Sequence, residues 1–173
     1  YICYDRRRAD FTVDISDEDI ARERAAVERT VAAEGHSGIE FGDPYLETLA
    51  VYRKIAERMP SYDTVLFHGS ALAIDGDGYL FTAKSGTGKS THTRLWREHF
   101  GDRVVMINDD KPLLHIDAGR VIAYGTPWNG KHRLGTNASA PLRGLCVLGR
   151  AEQNSIFPAE RRQVYPTLLG QTY

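Results

Sequence analysis

A glycine-rich segment at residues 83–90 constrains this chain more than any other feature of its sequence. It lies between a strand-like run and a helix-like run and reads Ala83-Lys84-Ser85-Gly86-Thr87-Gly88-Lys89-Ser90. Backbone N–H groups that turn inward around an anion need small residues beside them, and Gly86 and Gly88 provide these. The order of strand, loop and helix therefore predicts an α/β protein with a phosphate-binding P-loop.

The polar residues of this segment have predicted roles on a nucleotide. Lys89 supplies a positive charge to the β and γ phosphates of ATP, and Ser90 places a hydroxyl on Mg²⁺ at the start of a helix over residues 90–100. The segment departs from the usual pattern at Ala83, which replaces the first glycine, and the alternative is a chance turn before a helix. The residues predicted to bind the nucleotide are Ser85, Gly86, Thr87, Gly88, Lys89, Ser90 and Thr91.

Composition argues against several classes of protein. The 173 residues are 42% hydrophobic and 26% charged, which is typical of a globular protein with one main core. A net charge of −1, with one arginine cluster at residues 6–8, argues against a nucleic-acid partner. No run approaches the roughly 18 apolar residues that span a membrane. Cys3 and Cys146 lack metal-ligand spacing, so we expect a cytoplasmic protein without a disulfide.

Helical patterns dominate residues 1–61, which we interpret as a small N-terminal accessory region. Ser16 and Asp19 resemble a capping box, and Asp43-Pro44 is a cap residue followed by proline at the first helical position. The predicted elements are a short strand over 11–15, helices over 16–33 and 43–59, and a connector over 35–42.

Short β-rich runs dominate residues 62–173, which we assign to a catalytic domain. The runs cover 64–67, 71–74, 79–82, 104–107, 113–116, 121–124 and 142–148. Small residues at 75–78 and 117–120 favour tight hairpins and so antiparallel pairs, whereas ordinary P-loop enzymes use parallel strands. We therefore expect a mixed sheet. Because the chain stops inside an apolar, helix-compatible stretch at 164–173, we expect this domain to be truncated at its C-terminus.

Two carboxylates, Asp109 and Asp110, follow the apolar run at 104–107. They stand where the second half of a nucleotide and Mg²⁺ site is expected. One carboxylate can hold the metal while the other accepts a proton from an attacking hydroxyl, since neighbouring carboxylates separate each other's pKa values. The alternative is that Asp-Asp-Lys-Pro forms only a turn.

Two further features have both a functional and a structural interpretation. His68, which follows the run at 64–67, can assist phosphoryl transfer near neutral pH or can serve as a hydrogen-bonded structural residue. The segment at 125–133 carries Lys131 and Arg133, which either clamp an anionic substrate or lie on a solvated surface loop.

Together these residues resemble the catalytic domain of bacterial HPr kinase/phosphorylase. The pair His68-Gly69, the hairpin at 75–78, the glycine-rich segment and the run Asn108-Asp109-Asp110 occur in the same order as in that family, within residues 62–148. The family and its relative, ATP-dependent phosphoenolpyruvate carboxykinase, share a P-loop kinase fold with a mixed, hairpin-containing sheet. The resemblance implies this α/β fold and MgATP as the phosphoryl donor.

The resemblance also implies roles for matching positions. It assigns Lys89 to the phosphates, Asp109 to the general base and His68 to a place near the transferred phosphate. It assigns Ser90 and Asp110 to the metal.

The chain departs from the family on a later strand. Arg143-Gly144 is present, but Pro141 occupies the position of an acidic residue that contacts metal in the family. The candidate substrate residues are Lys131, Arg133 and Arg143. Residues 1–61 do not resemble the family's regulatory domain, so the sequence resembles a divergent member.

Three functions are compatible with these features. The leading hypothesis is an ATP-dependent kinase that phosphorylates a serine hydroxyl of a protein or peptide. The second is a small-molecule kinase close to the carboxykinases, although 173 residues leave little material for the full carboxykinase reaction. The third is a non-catalytic ATP-binding module, which Pro141 keeps open. The acceptor, a reverse phosphorylase activity and a homo-oligomeric state are left open.

Overall fold

The computed structural model describes residues 9–33, 35 and 40–173. These residues divide into two compact units, of which the first ends at Arg58 and the second spans Met59–Tyr173. Cys3, the arginine cluster and residues 36–39 of the predicted connector lie outside the described residues. Cys146 is a free thiol.

None of the helices in the described ranges combines the length and the apolar character that a membrane span requires.

The first unit contains helices α1 (Asp17–Ala33) and α2 (Asp43–Arg58), close to their predicted bounds. The capping box is confirmed, because the Asp19 N–H donates to Ser16 Oγ at 3.3 Å and the Ser16 N–H donates to Asp19 Oδ2 at 3.0 Å. The short strand predicted over residues 11–15 is wrong, since these residues are irregular. A strand needs a hydrogen-bonding partner strand, and the described part of this unit contains none.

Ion pairs join α1 to α2. The Arg53 guanidinium lies 2.8 Å from Asp19 Oδ1 and 2.6 Å from Glu23 Oε1. The Lys54 ammonium lies 2.6 Å from Asp19 Oδ2 and also donates to the Asp14 carbonyl. One carboxylate, Asp19, thus caps its own helix and receives two cations from the next one.

The second unit contains all seven predicted strands. Its helices are α3 (Lys89–Phe100), α4 (Arg161–Leu169) and two short 3₁₀ turns, Met59–Tyr62 and Gly101–Arg103. Its strands are β1 (Thr64–Leu66), β2 (Ser70–Ile74), β3 (Asp77–Thr82), β4 (Val104–Asn108), β5 (Leu113–Asp117), β6 (Arg120–Tyr124) and β7 (Ser139–Val147).

The strands form one mixed sheet in the order β1-β5-β6-β7-β3-β2-β4. Both predicted hairpins are confirmed, because β2 pairs with β3 and β5 pairs with β6 in antiparallel register across two-residue links. β3 and β7 form the one parallel pair of this sheet. The prediction of a mixed, hairpin-containing sheet is therefore confirmed.

Two chain segments connect one end of this strand order to the other. Residues 67–69, here the first crossover, lead from β1 to β2, and residues 109–112, the second crossover, lead from β4 to β5. The crossovers run side by side, because the Phe67 N–H donates to the Pro112 carbonyl and the Gly69 N–H donates to the Asp110 carbonyl, both at 3.0 Å. The two halves of the sheet are thereby brought over one core.

That core contains buried side chains from strands β2 to β7, and β1 adds the partly buried Val65. Residues that alternate along each strand point to the same face, so one face of each half of the sheet supplies the shared core. Its buried members are Phe67, Ala71, Ala73, Leu80, Ile107, Leu114, Ala123 and Ala140. The opposite face of β2, β3 and β4 packs against α3, where Trp96 contacts Tyr79 and Phe81. Helix α3 is thus held at a fixed position on the sheet.

We predict that acid weakens the α1–α2 unit through Asp19. Hydrogen bonds from Lys54 and from the Ser16 N–H hold the pKa of this carboxyl well below its ordinary value of 3.8. A carboxyl whose pKa is lowered by folding stabilises the fold above its ordinary pKa, and this contribution is lost as the pH falls below about 5 toward the folded value. Helix content of the wild type, followed by circular dichroism, should therefore fall more steeply with acid than that of Asp19→Asn.

The Asp19→Asn variant should also unfold at lower temperature at pH 7. Asp17→Asn is the matched control, because Asp17 lies in the same first helical turn and has no ion-pair partner among the described residues. An Asp19→Asn titration that overlays the wild-type curve would contradict the prediction.

Candidate active site

The glycine-rich loop joins the end of β3 to the start of α3, as the sequence predicted. Gly86 has φ of +75° and Gly88 has φ of +121°. Residues that carry a side chain rarely adopt this backbone conformation. The surrounding space is not the constraint, because a Cβ at either position would meet no heavy atom within 4 Å. The glycines are therefore needed for the turn of the backbone, and the space beside them is open.

Helix α3 begins inside this loop. Its cap residue, Gly88, offers no side-chain acceptor to the first N–H groups of the helix, which have no intrahelical partner. Ser90 and Thr91 lie in the first turn and are exposed. The open N-terminus and its partial positive charge make this position suited to an anion.

Lys89 is folded back over the loop. Its ammonium donates to the Ala83 carbonyl at 3.1 Å, so the charge is held beside the residue at which the loop begins. Burial lowers the pKa of this ammonium, the nearby Asp110 carboxylate acts in the opposite direction, and the charge of Lys111 lowers the pKa further. Lys89, Asp110 and Lys111 thus share one electrostatic environment.

The two crossovers bring His68 to Asp110. The imidazole Nε2 lies 3.3 Å from Asp110 Oδ1. Burial alone would raise the pKa of Asp110, but the hydrogen bond with His68 and the positive charges of Lys111 and Lys89 outweigh burial and hold the pKa below its usual range. Asp110 is therefore an anion at neutral pH with cationic or donor groups on several sides.

The backbone of the first crossover is fixed from several directions. The His68 carbonyl accepts a hydrogen bond from the Thr82 hydroxyl at 3.0 Å, and the His68 N–H donates to the Gln171 carbonyl at 2.7 Å. A Cβ on Gly69 would lie 3.0 Å from Leu80 Cδ1 and 3.1 Å from the Phe81 carbonyl. Because no side chain fits at Gly69, the close contact between the crossover and β3 requires glycine.

Asp109 is buried and faces the loop at residues 125–133. Its Oδ1 accepts a hydrogen bond from the Gly130 N–H at 2.7 Å. Lys131 and Arg133 follow directly and are exposed, and within the described chain neither side chain forms a hydrogen bond or ion pair. The 125–133 loop, which was predicted to hold an anionic substrate, therefore lies beside Asp109, the predicted general base.

Asn108 connects these two segments and was missed as a site residue. Its Oδ1 accepts from the N–H groups of Asp110 at 2.8 Å and Lys111 at 2.5 Å, and its Nδ2 donates to the carbonyls of Thr126 at 3.1 Å and Trp128 at 3.0 Å. The side chain is fully buried. Asn108 thus fixes the second crossover and the 125–133 loop to each other.

Arg143 is not brought to this site. The parallel register pairs Leu142 with Gly78 and Val147 with Thr82, so Arg143 and Pro141 lie toward the end of β7 opposite the glycine-rich loop. The four residues from Arg143 to Val147 correspond to roughly 13 Å of strand. Arg143 instead pairs with Asp77 at 3.0 Å, beside an apolar cleft of about 570 Å³.

Two cations that the sequence did not single out do reach the site. Lys111 is the residue after the carboxylate pair, and its ammonium donates to the Tyr173 hydroxyl at 2.6 Å. Arg150 donates to the Gly86 carbonyl at 2.5 Å. The sequence could have indicated Lys111 as a site residue, because it directly follows Asp110. It could not have indicated Arg150, which is far from the other site residues along the chain.

No protein-family model matches the sequence, and a search of curated proteins finds no match either. Among solved structures, the chain is similar to the HPr(Ser) kinase/phosphatase from Coxiella burnetii, with 15% sequence identity and a TM-score of 0.40. The match covers 54% of this chain and 65% of that chain, just under two thirds of the solved protein. A likeness at this level is a distant structural relationship.

We predict that Asn108→Ala destabilises the second unit by roughly 2–4 kcal/mol, because it leaves several buried backbone N–H and carbonyl groups without their partner. Urea denaturation followed by Trp fluorescence measures this change. Asn137→Ala is the control, because Asn137 is exposed and its loss should cost less than about 0.5 kcal/mol. Equal midpoints for the two variants would show that Asn108 does not hold these segments together.

Proposed function

We propose that this chain is an ATP-dependent phosphotransferase whose acceptor is a hydroxyl, most simply a serine of a protein or peptide. The observation that carries the proposal is the convergence of Lys89, Asp110 and His68 at the point where the two crossovers meet the glycine-rich loop. Sequence positions far apart thereby supply a cation, a carboxylate and an imidazole to one place.

The residues at this place fit MgATP. A phosphate chain fits the open space beside Gly86 and Gly88. The first N–H groups of α3, which no side chain caps, can donate hydrogen bonds to its oxygens. Ser90 and Asp110 offer oxygen ligands of the type that Mg²⁺ prefers when phosphates complete its shell. When bound, MgATP supplies the phosphoryl group and the metal charge.

The chain's own residues would then divide the work. Lys89 would neutralise phosphate oxygens, and His68 would hold the Asp110 carboxylate in position. Asp109 would accept the proton of the acceptor hydroxyl as that oxygen bonds to phosphorus and ADP leaves. Lys131 and Arg133 would bind an acidic or phosphorylated substrate from the loop beside Asp109.

Pro141 does not argue for a non-catalytic module. It lies at the start of β7, so an acidic residue there would also be distant from the glycine-rich loop.

Incubation with γ-labelled ATP, Mg²⁺ and an extract of host proteins and metabolites separates the candidate functions. A labelled polypeptide supports the protein kinase, a labelled metabolite supports a small-molecule kinase, and bound but intact ATP supports the regulatory module.

We predict that Lys89→Ala weakens ATP binding at least tenfold, because a charged hydrogen bond to phosphate contributes about 1.5–3 kcal/mol. Isothermal titration calorimetry measures the affinity. Arg94→Ala is the matched control, because it removes an exposed cation from the same helix. Unchanged affinity in Lys89→Ala would exclude the proposed role of the glycine-rich loop.

We predict that Asp109→Asn lowers phosphoryl transfer by roughly 10²–10⁴-fold, the usual contribution of a general base, while ATP affinity stays close to wild type. The asparagine carbonyl can still accept the hydrogen bond from the Gly130 N–H, so the loop should stay in place. Single-turnover rates with labelled ATP measure the effect. Transfer at the wild-type rate would assign the base to another residue.

A further inference from the structure

Arg150 contacts the glycine-rich loop from outside the segments that the sequence singled out. Its Nη2 donates to the Gly86 carbonyl at 2.5 Å. Arg150 is exposed, and among the described residues it has no carboxylate partner. A guanidinium carries five N–H donors in one plane, so this contact leaves most of its donors available.

The fold explains why this arginine reaches the loop. β3 and β7 are parallel, so their carboxyl ends lie at the same edge of the sheet. The pairing continues past the strands, because the Leu148 N–H donates to the Thr82 carbonyl at 2.8 Å. The chain that leaves β7 therefore runs beside the loop that leaves β3, and Arg150 is the first cation on it.

We propose that Arg150 is a phosphate-binding residue that takes the polyphosphate chain of a nucleoside triphosphate, an inference that rests on the proposed function. One nitrogen stays on the Gly86 carbonyl and fixes the guanidinium plane, while the others bind phosphate oxygens. A planar fork suits two oxygens of one phosphate better than an ammonium does. Arg150 thus complements Lys89, which approaches from inside the loop.

A purely structural role for Arg150 gives a different pattern of binding. If the guanidinium only stabilised the loop, its loss would lower the affinities for ATP and ADP by a similar factor, because the loop holds the β phosphate that both ligands carry. If it binds the phosphate chain, its loss acts on ligands in proportion to their phosphate charge. Affinities for ATP, ADP and AMP therefore distinguish the two roles.

The experiment measures these three affinities by calorimetry for the wild type, Arg150→Ala, Arg150→Lys and the control Arg120→Ala. Arg120 is an exposed arginine of β6 that pairs with Asp117 of β5. We expect Arg150→Ala to lose roughly 10- to 100-fold in ATP affinity, about the value of one charged hydrogen-bonding group, with a clearly smaller loss for ADP and less than about threefold for AMP. Arg150→Lys should fall between the two, and millimolar guanidinium should restore part of the ATP affinity of Arg150→Ala.

Unchanged ATP affinity in Arg150→Ala, or an equal loss for ATP and ADP, overturns this inference while the proposed function stands. A wild-type protein that does not bind ATP overturns the proposed function and this inference together. Thermal unfolding of each variant checks that the fold is kept, and if Arg150→Ala unfolds, the comparison of Arg150→Lys with wild type decides.

Discussion

The pairing of the two crossovers is the constraint on which the second unit depends. Backbone hydrogen bonds between residues 67–69 and 109–112 bring both halves of the sheet over a common core. The same pairing sets His68 beside Asp110, since each residue lies on one of the two segments. Fold and candidate site are therefore consequences of one interaction, and Gly69 allows the first crossover to lie close to β3.

The charged side chains at the site also come from separate parts of the chain and influence one another. Lys89, Lys111 and Arg150 reach the region from three parts of the chain, and Asp110 lies among the first two. The hydrogen bond from His68 and the charges of Lys111 and Lys89 offset the cost of burying Asp110, which keeps the carboxylate ionised. The three cations outnumber the carboxylates of Asp109 and Asp110, and such a surplus of positive charge suits an anion.

Features that depend on local sequence could be predicted. Residues that are close together in the sequence determine these features. They are the capping box at Ser16, the seven strands, both hairpins and the helix after the glycine-rich loop. The strand expected at 11–15 is wrong, because the described part of the first unit contains no strand with which these residues could pair. The positions of Arg143 and Arg150 could not be derived, since both depend on which strands become neighbours. Local pattern does not specify the parallel pairing of β3 with β7, which lie far apart in the sequence.

That parallel pairing has a kinetic consequence. Hairpins such as β2–β3 close short loops and are expected to form early, whereas contacts between distant segments carry a larger loop-closure entropy and form more slowly. Thr82 pairs with Val147 across a long stretch of intervening chain, so we expect this contact to form after the hairpins. We therefore expect the contact between Arg150 and the glycine-rich loop to form late, so that a partly folded chain would carry the glycine-rich motif without this contact.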